Sequence, residues 1–357
     1  MTAFEAHSAL RAGNALLAAG NVGAAVQTFH QAIAWDPKLG DAHYNLGIAL
    51  RRCGDCRGAV LAFRCAARLN PADFDAMQNL VSTLGQAIAG GARPFHGHDR
   101  PCADPSREGV SIVVCSIDPE RLARMQASFA AALPGVEHEF VVTRDARSLA
   151  EGYERGLAAC RYEVVVFAHD DVELAPGRPL SCLTGALVHC DVVGVAGSRS
   201  VHGPAVTWDG HPHVHGWVAY PGADPAGWDA TIYSLESGLL HGMQALDGLL
   251  FAARRETARR IRFDAATFDG FHFYDLDFTH RAWRLGLRLA VSTELDVFHA
   301  SAGDFGAEWN RYAQRFRAKF PGLDSPPGPH HSYGVRLPTK QDVAFFYDAL
   351  RGLAGVP

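Results

Sequence analysis

The spacing of apolar residues divides the chain into two regions. Up to about residue 90, apolar residues recur every three or four positions, which predicts amphipathic helices. From Val110 onward, short apolar runs such as VSIVVCSI, HEFVVT and YEVVVFAHDD alternate with helical stretches such as SLAEGYERGLAAC. Short buried strands separated by amphipathic helices predict an α/β domain with a mainly parallel sheet.

The N-terminal helices repeat at a fixed offset of 34 residues, a period typical of helix pairs. The pattern resembles the tetratricopeptide (TPR) family over roughly residues 5–88, and a third unit supplies only its first helix, near Phe74–Leu84. The resemblance implies a concave surface for a protein partner; a cap that stabilises or dimerises the chain is the alternative. The matched positions are Gly13 with Gly47, Gly20 with Gly54, Ala25 with Ala59, Phe29 with Phe63, Ala32 with Ala66, and Pro37 with Pro71.

Changes in composition predict the domain boundaries. The stretch GGARPFHGHDRPCADPSREG is rich in Gly, Pro and polar residues and has no periodicity, so we expect a linker there. After a second Pro/Gly-rich stretch, apolar residues at helical spacing predict a C-terminal helix that packs on one of the domains: Val343, Phe346, Tyr347, Leu350 and Leu353. The predicted parts are a TPR module at 1–88, a linker at 89–108, an α/β domain at 109–320, and a C-terminal loop and docking helix at 321–357.

Composition excludes several classes of partner. The 357 residues carry a net charge of −5 and no Lys/Arg-rich block, which argues against nucleic-acid binding. We expect no transmembrane segment, since no apolar run approaches the ~18–20 residues needed, and the N-terminus lacks the basic start of a signal peptide. Eight scattered cysteines favour a reducing cytoplasm. The isolated pair Cys53 and Cys56 is expected in a turn between two helices, without a metal.

The third predicted strand ends in ionisable residues. In VVVFAHDDVEL, four apolar residues and an alanine lead directly to His169, Asp170 and Asp171. Burying such groups is unfavourable unless a partner neutralises them. Because ligands of α/β sheets bind beyond the carboxyl ends of the strands, the stretch predicts a metal or metal–phosphate site.

This strand end resembles the acidic signature of GT-A glycosyltransferases, particularly the large inverting family 2, and the resemblance covers about residues 109–320. In that family the last carboxylate of the signature holds a divalent ion on the donor diphosphate, and Asp171 matches it. His169 stands where the first Asp would be. The resemblance therefore implies Mn²⁺ or Mg²⁺ as cofactor, a nucleotide-diphosphate sugar as donor, and Asp170 near the nucleotide.

A second motif, FDGFHFYDLDFTHRAWRLG, resembles the family's Glu-Asp-x-Asp segment. Tyr274 replaces the Glu, and Asp275 matches the Asp that acts as general base in an inverting transfer. Asp277 matches the later acid and Arg281 follows on the next helical turn; capping of the helix is the alternative role for one of the acids. The segment ALDGLLFAARRE resembles the strand beside the acceptor site. The implied acceptor- or sugar-binding residues are Asp247, Gly248, Asp277 and Arg281.

The remaining ligand candidates lie at other strand ends. The resemblance implies that His299, at the end of LRLAVSTELDVFHAS, is the third metal ligand. It also implies nucleotide contacts from Ser116, Asp118 and Asp145. Arg155 could approach a phosphate, although a solvated helix face explains an exposed arginine equally well.

One histidine-rich stretch, TWDGHPHVHGWVAYPG, suggests a competing chemistry. His211, His213 and His215 alternate, so on a strand they would share one face and could bind zinc. Pro212 interrupts such a strand. We therefore expect a flexible loop over the sugar or acceptor pocket, with Trp208 and Trp217 as stacking faces.

Together these patterns predict a metal-dependent inverting glycosyltransferase with an N-terminal TPR module. Asp275 would act as general base and Asp171 would hold the metal–diphosphate, while the acceptor is a protein or a glycan. Two alternatives remain open: a TPR scaffold whose transferase domain is inactive, and a zinc-dependent hydrolase that uses the His211, His213 and His215 stretch.

Overall fold

The computed structural model describes residues 2–71, 73–93, 95, 106–201, 213–223, 227–301, 303, 306–323 and 332–354. The chain divides into two compact units. The helical unit comprises Met1–His98 and Tyr333–Pro357, and the α/β unit comprises Asp99–Ser332.

The helical unit begins with helices that pack as antiparallel pairs. Glycines sit where the two helices of each pair cross: a Cβ added to Gly13 would lie 2.5 Å from the ring of Phe29, and one added to Gly47 would lie 2.7 Å from that of Phe63. The repeated glycine and phenylalanine therefore form the same contact in both pairs, as the 34-residue pattern predicts. The helices are α1 (Thr2–Ala18), α2 (Val22–Trp35), α3 (Gly40–Arg52), α4 (Cys56–Leu69) and α5 (Phe74–Ala89).

The turns between these helices follow from local sequence. Cys53 lies in the turn between α3 and α4 and is exposed, as predicted. Asp55 caps α4 by accepting a hydrogen bond from the backbone N–H of Gly58 at 2.9 Å.

The α/β unit alternates strands and helices from Val110 onward. Its helices are α6 (Pro119–Ala131), α7 (Leu149–Ala159), α8 (Ser181–Gly185), α9 (Arg255–Ile261), α10 (Tyr274–Arg284) and α11 (Ala307–Lys319), with a 3-10 turn at Ala186–Val188. Its strands are β1 (Val110–Cys115), β2 (His138–Thr143), β3 (Val164–Ala168), β4 (Val172–Leu174), β5 (Val192–Gly194), β6 (Ala196–Ser198), β7 (Val214–Pro221), β8 (Trp228–Ile232), β9 (Leu239–Met243), β10 (Ala245–Leu246), β11 (Leu250–Arg254), β12 (Leu289–Ser292) and β13 (Val297–His299).

The main sheet has the strand order β2-β1-β3-β11-β5-β12-β9. Strand β1 runs parallel to β2 and β3, and β12 runs parallel to β5, whereas β11 is antiparallel to both of its neighbours. The sheet is therefore mixed, with a parallel half that ends at β3. Apolar clusters include Phe167 and Phe251, which stack with ring centroids 5.0 Å apart.

A second set of strands, in the order β10-β6-β7-β13-β4, lies beyond β3 along the chain. Antiparallel pairing of β13 with β4 places His299 opposite Val172. The backbone N–H of Ala300 donates to the carbonyl of Asp171 at 2.9 Å. This pairing brings the end of β13 next to the acidic residues that follow β3.

The C-terminal strand β14 (Tyr333–Leu337) and helix α12 (Lys340–Ala354) belong to the helical unit and pack on α5. Gly85 makes room for the strand, because a Cβ there would collide with the side chain of Val335. The apolar residues predicted for this helix are all buried: Val343, Phe346, Tyr347, Leu350 and Leu353.

The helices of the described part of the chain are short or polar for a membrane-spanning segment. None of them combines the length and the hydropathy that a bilayer crossing requires.

Candidate active site

A cleft of about 480 Å³ opens at the carboxyl end of β3 in the α/β unit. One part of its wall is polar and rich in carboxylates and imidazoles, and the other part is apolar. The polar wall includes Arg121, His169, Asp170, Asp171, Asp247, His272, Asp275, His299 and Ser301, and the apolar wall includes Cys115, Leu149, Phe271, Phe273, Leu276 and Trp309.

Three side chains in this cleft form a compact group of metal-ligand type: His169, Asp171 and His299. His169 Nδ1 lies 3.4 Å from His299 Nε2, which lies 3.2 Å from Asp171 Oδ1. The backbone N–H of His169 donates to the carbonyl of Leu249 at 3.1 Å, which fixes the chain as it leaves β3. The structure thus brings together the three residues that were predicted to bind a metal.

The spacing and chemistry of this group fit a divalent ion. Ligand atoms that each bind one ion at about 2.0–2.2 Å lie roughly 3–3.5 Å apart, close to the two separations observed. Two imidazole nitrogens and one carboxylate suit Mn²⁺ and other transition metals, whereas Mg²⁺ prefers an all-oxygen environment.

The electrostatics of the group favour the protonation states that bind metals. Burial opposes ionisation of Asp171, but the hydrogen bond and charge of His299 outweigh it and hold the pKa of this carboxyl well below its usual value. Burial, with a further contribution from His299, lowers the pKa of His169 to about 4. At neutral pH the group therefore offers a carboxylate and a neutral imidazole, as metal binding requires.

Two further carboxylates, Asp247 and Asp275, line the cleft and influence each other through their charges. Asp275 lies at the start of α10 and accepts a hydrogen bond from the backbone N–H of Gly248 at 2.7 Å. Burial raises the pKa of Asp275, against the effect of the N–H groups of Leu276 and Gly248. Burial and the charge of Asp275 raise the pKa of Asp247 to about 7. The raised pKa of Asp275 suits a general base, because its carboxylate accepts a proton more readily than an ordinary one.

The sugar- or acceptor-binding role expected for Asp277 and Arg281 stays a prediction, and in the structure both residues take part in ion pairs. Asp277 is fully buried and pairs with Arg281 at 2.7 Å and with Lys319 at 2.6 Å. Arg281 also donates to the carbonyl of Arg262 at 2.6 Å. Neither residue lines the cleft. The ion pair of Asp277 with Lys319 joins α10 to α11, and the hydrogen bond of Arg281 joins α10 to the residue that follows α9.

The predicted nucleotide contacts are only partly brought together. Asp170 lines the cleft, and the Ser116 hydroxyl beside it partly offsets the effect of burial, which raises the pKa of Asp170. Asp118 instead caps α6 by accepting from the N–H of Glu120 at 2.9 Å. Asp145 and Arg155 pair with each other at 2.7 Å on the surface and do not line the cleft, so the nucleotide contacts expected of these three residues stay predictions.

The described part of the histidine-rich stretch consists of His213, which precedes β7, and of β7 itself with the residue that follows it. Trp217 lies in β7, is 1% exposed, and donates from its indole N–H to the carbonyl of Ser234 at 2.8 Å, so it offers no stacking face. His215 is buried beside the Ser234 hydroxyl at 2.9 Å, while His213 is exposed. Neither belongs to the metal-ligand group found within the described residues. Trp208 and His211 lie outside the described residues.

Several cleft residues were missed from the sequence. Phe271 and His272 precede the Asp275 motif directly, so the aromatic run FHFY was an available signal. Ser301 follows His299 by two residues, and its Oγ lies 3.2 Å from His299 Nε2. Trp309 carries no motif that would have identified it.

Comparison with known proteins agrees with the predicted architecture. Residues 111–320 match the family described as "Glycosyltransferase like family", and residues 13–54 match the TPR repeat. No curated protein matches the chain. The first match covers more than half of the 357 residues and contains the whole metal-ligand group. The predicted TPR and GT-A fold is thereby confirmed, and the chain belongs to this glycosyltransferase-like family.

Proposed function

We propose that the α/β unit transfers a sugar from a nucleotide-diphosphate sugar to a hydroxyl group of a protein or glycan, with inversion at the anomeric carbon. The observation that carries this proposal is the composition of the cleft. It combines a group of metal ligands with Asp275, a carboxylate of raised pKa, at the carboxyl end of β3. Family membership supports a nucleotide-sugar donor.

Each group in the cleft receives a role that its chemistry suits. His169, Asp171 and His299 would hold the ion, which when bound would offset the charge of the leaving diphosphate. Asp275 accepts the proton of the acceptor hydroxyl as its oxygen attacks. Asp170 lies beside Asp171 and is placed to contact the nucleotide.

The donor set favours Mn²⁺ over Mg²⁺ as the ion. Two of the three ligand atoms are imidazole nitrogens, which bind transition metals more readily than they bind Mg²⁺. We also propose that the TPR module binds a protein partner or the acceptor. A cytoplasmic location stays a prediction.

A thermal-shift experiment tests the proposal. The full chain is melted with UDP-, GDP- and dTDP-sugars, with and without Mn²⁺, and a CMP-sugar serves as a control because it lacks a diphosphate. We expect one diphosphate donor to stabilise the protein by about 2.7 kcal/mol at 100 times its Kd. The effect should require Mn²⁺ and disappear in Asp171→Ala.

A second variant separates binding from chemistry. Asp275→Asn should keep the donor-dependent shift and lose about 10²- to 10⁴-fold in kcat, because it cannot accept a proton. Absence of a shift with every donor would contradict the proposal and favour a scaffold with an inactive transferase domain. If the Asp275→Asn variant kept both the donor-dependent thermal shift and the wild-type kcat, Asp275 would not be the base.

A further inference from the structure

The ring of His169 contacts a partner at each nitrogen. Its Nε2 lies 2.6 Å from the hydroxyl oxygen of Tyr274, and its Nδ1 lies 3.4 Å from His299 Nε2. Tyr274 is 3% exposed and is the first residue of α10. A neutral imidazole carries one N–H, and the partners of the two nitrogens decide which nitrogen has it.

The hydroxyl proton of Tyr274 has an acceptor other than His169. The carbonyl of Gly248 can only accept a hydrogen bond, and it lies 3.4 Å from the Tyr274 hydroxyl, which donates to it. The neighbouring Tyr153 directs its own hydroxyl proton to the carbonyl of Ala168 at 3.0 Å. With its proton on that carbonyl, the oxygen of Tyr274 can accept from His169 Nε2–H across 2.6 Å, which corresponds to the Nε2–H tautomer.

The metal-ligand group leads to the same assignment from the other side of the ring. The carboxylate of Asp171 only accepts, so in the metal-free protein the His299 Nε2–H, 3.2 Å from Asp171 Oδ1, donates to it. A metal bound at this nitrogen would require that proton to move to Nδ1 of His299. A proton on His169 Nδ1 would point at this N–H across 3.4 Å. A lone pair on His169 Nδ1 avoids that repulsion.

We propose that Tyr274 is a positioning residue that holds His169 as the Nε2–H tautomer and directs the Nδ1 lone pair towards Asp171 and His299. Outer partners of this kind fix the orientation of ligating histidines. The consequence for metal affinity rests on the proposed function, whereas the tautomer itself does not.

The hydroxyl of Tyr274 is held in place by packing. Its ring meets that of Tyr153 edge-on, with centroids 5.5 Å apart and an interplanar angle of 75°. A Cβ at Gly248 would collide with the Tyr274 hydroxyl, so only glycine leaves room for it. Tyr274 stands where the resembling family motif has a Glu, and the two changes, Tyr274 for Glu and His169 for Asp, are therefore in direct contact in this chain.

The test compares Tyr274→Phe with Tyr312→Phe in the full chain. Tyr312 is a buried tyrosine whose hydroxyl donates to Asp269 at 2.9 Å, and it does not itself line the cleft. Long-range ¹⁵N–¹H spectra of histidine-labelled, metal-free protein report the tautomer, and His169→Gln identifies the signal. Titration calorimetry with Mn²⁺ alone reports metal affinity.

We expect the Nε2–H tautomer in the wild type and in Tyr312→Phe, and a mixture or the Nδ1–H form in Tyr274→Phe. The Kd for Mn²⁺ should rise about 10- to 100-fold in Tyr274→Phe only. An Nδ1–H tautomer in the wild type, or wild-type tautomer and affinity in Tyr274→Phe, would overturn the proposal. An Nδ1–H signal in the wild type would overturn the proposal even if the variant fails to fold. A wild type that is Nε2–H but binds no Mn²⁺ would support the tautomer and contradict the metal part of the proposed function.

Discussion

Asp247 is a carboxylic acid in a place where the ionised form is unfavourable. Burial and the neighbouring charge of Asp275 raise its pKa from 3.8 to about 7. Its Oδ1 accepts a hydrogen bond from the backbone N–H of Leu249 at 2.8 Å, which keeps the side chain in place in either state. Such a group lowers the stability of the folded protein at neutral pH, a common property of functional sites.

The stability of metal-free protein should therefore depend on this residue and on pH. Because the folded-state pKa is above the unfolded value, the folded state binds more protons between about pH 4 and pH 7, so Asp247 makes the protein less stable as pH rises through that range. Asp247→Asn keeps the acceptor oxygen and removes the charge. We expect it to raise stability by roughly 1–3 kcal/mol at pH 8, and by less at pH 5.

Thermal unfolding in the presence of a chelator measures this effect at both pH values. Asp145→Asn is the matched control, because the pKa of Asp145 is lowered by Arg155, so its loss should not stabilise the protein. An Asp247→Asn gain that is equal at pH 5 and pH 8 would show that packing, and not ionisation, is responsible.

Some of the residues predicted from the sequence line the cleft and others do not, for a physical reason. His169, Asp171 and His299 each follow or end a strand, so their place at one edge of the fold follows from topology. Asp275 and Asp277 lie two residues apart on a helix, which turns by about 200° over two residues. One of them therefore faces the cleft while the other is buried against Lys319, and the motif alone does not say which.

At the scale of elements, the strands and helices were largely predictable and their partners were not. Apolar runs identified β1 and β3 because their buried positions are contiguous. Strand β2 was recognised from its apolar run as well, although most of its residues are only half-buried. Strand direction has no signature in such runs, so the antiparallel β11 inside the main sheet could not be predicted. The amphipathic pattern of α12 predicted a buried face, yet not that this face lies in the helical unit with α5.

The contact of α5 with β14 makes Gly85 a sensitive position. A Cβ there would collide with Val335, so Gly85→Ala should destabilise the helical unit by about 1–3 kcal/mol, despite a helix propensity that favours Ala by about 1 kcal/mol. Gly23→Ala in α2 is the control, since nothing lies within 4 Å of a Cβ at that position. Urea unfolding followed by circular dichroism compares the two variants.

The matching second substitution tests the cause. Val335→Ala removes the methyl groups that a Cβ at position 85 would meet, so the pair Gly85→Ala and Val335→Ala should unfold at higher urea than the sum of the single effects predicts. Strict additivity of the two substitutions would mean that Gly85 is not in contact with Val335.

At the scale of the whole molecule, each unit has its own hydrophobic core. The helical unit contains a cluster that includes Leu10, Phe29 and Leu46, and the α/β unit contains clusters on its sheet. Every residue that lines the cleft lies within Asp99–Ser332. The donor site should therefore not require the helical unit, although transfer to an acceptor that binds the TPR module would.

Truncation tests whether the donor site is independent of the helical unit. Because Tyr333–Pro357 belongs to that unit, it has to be removed together with the N-terminal helices. A chain of residues 99–332 should keep the Mn²⁺-dependent stabilisation by donor, because it keeps the whole cleft.

Removal of residues 1–98 alone takes α5 away from the apolar face of α12, which includes Phe346 and Leu350. An exposed apolar face of this kind promotes association. Light scattering should then show aggregates for residues 99–357 and a monodisperse species for residues 99–332. If residues 99–332 fold without binding the donor, the helical unit contributes to the site; if residues 99–357 remain monodisperse, α12 does not depend on α5.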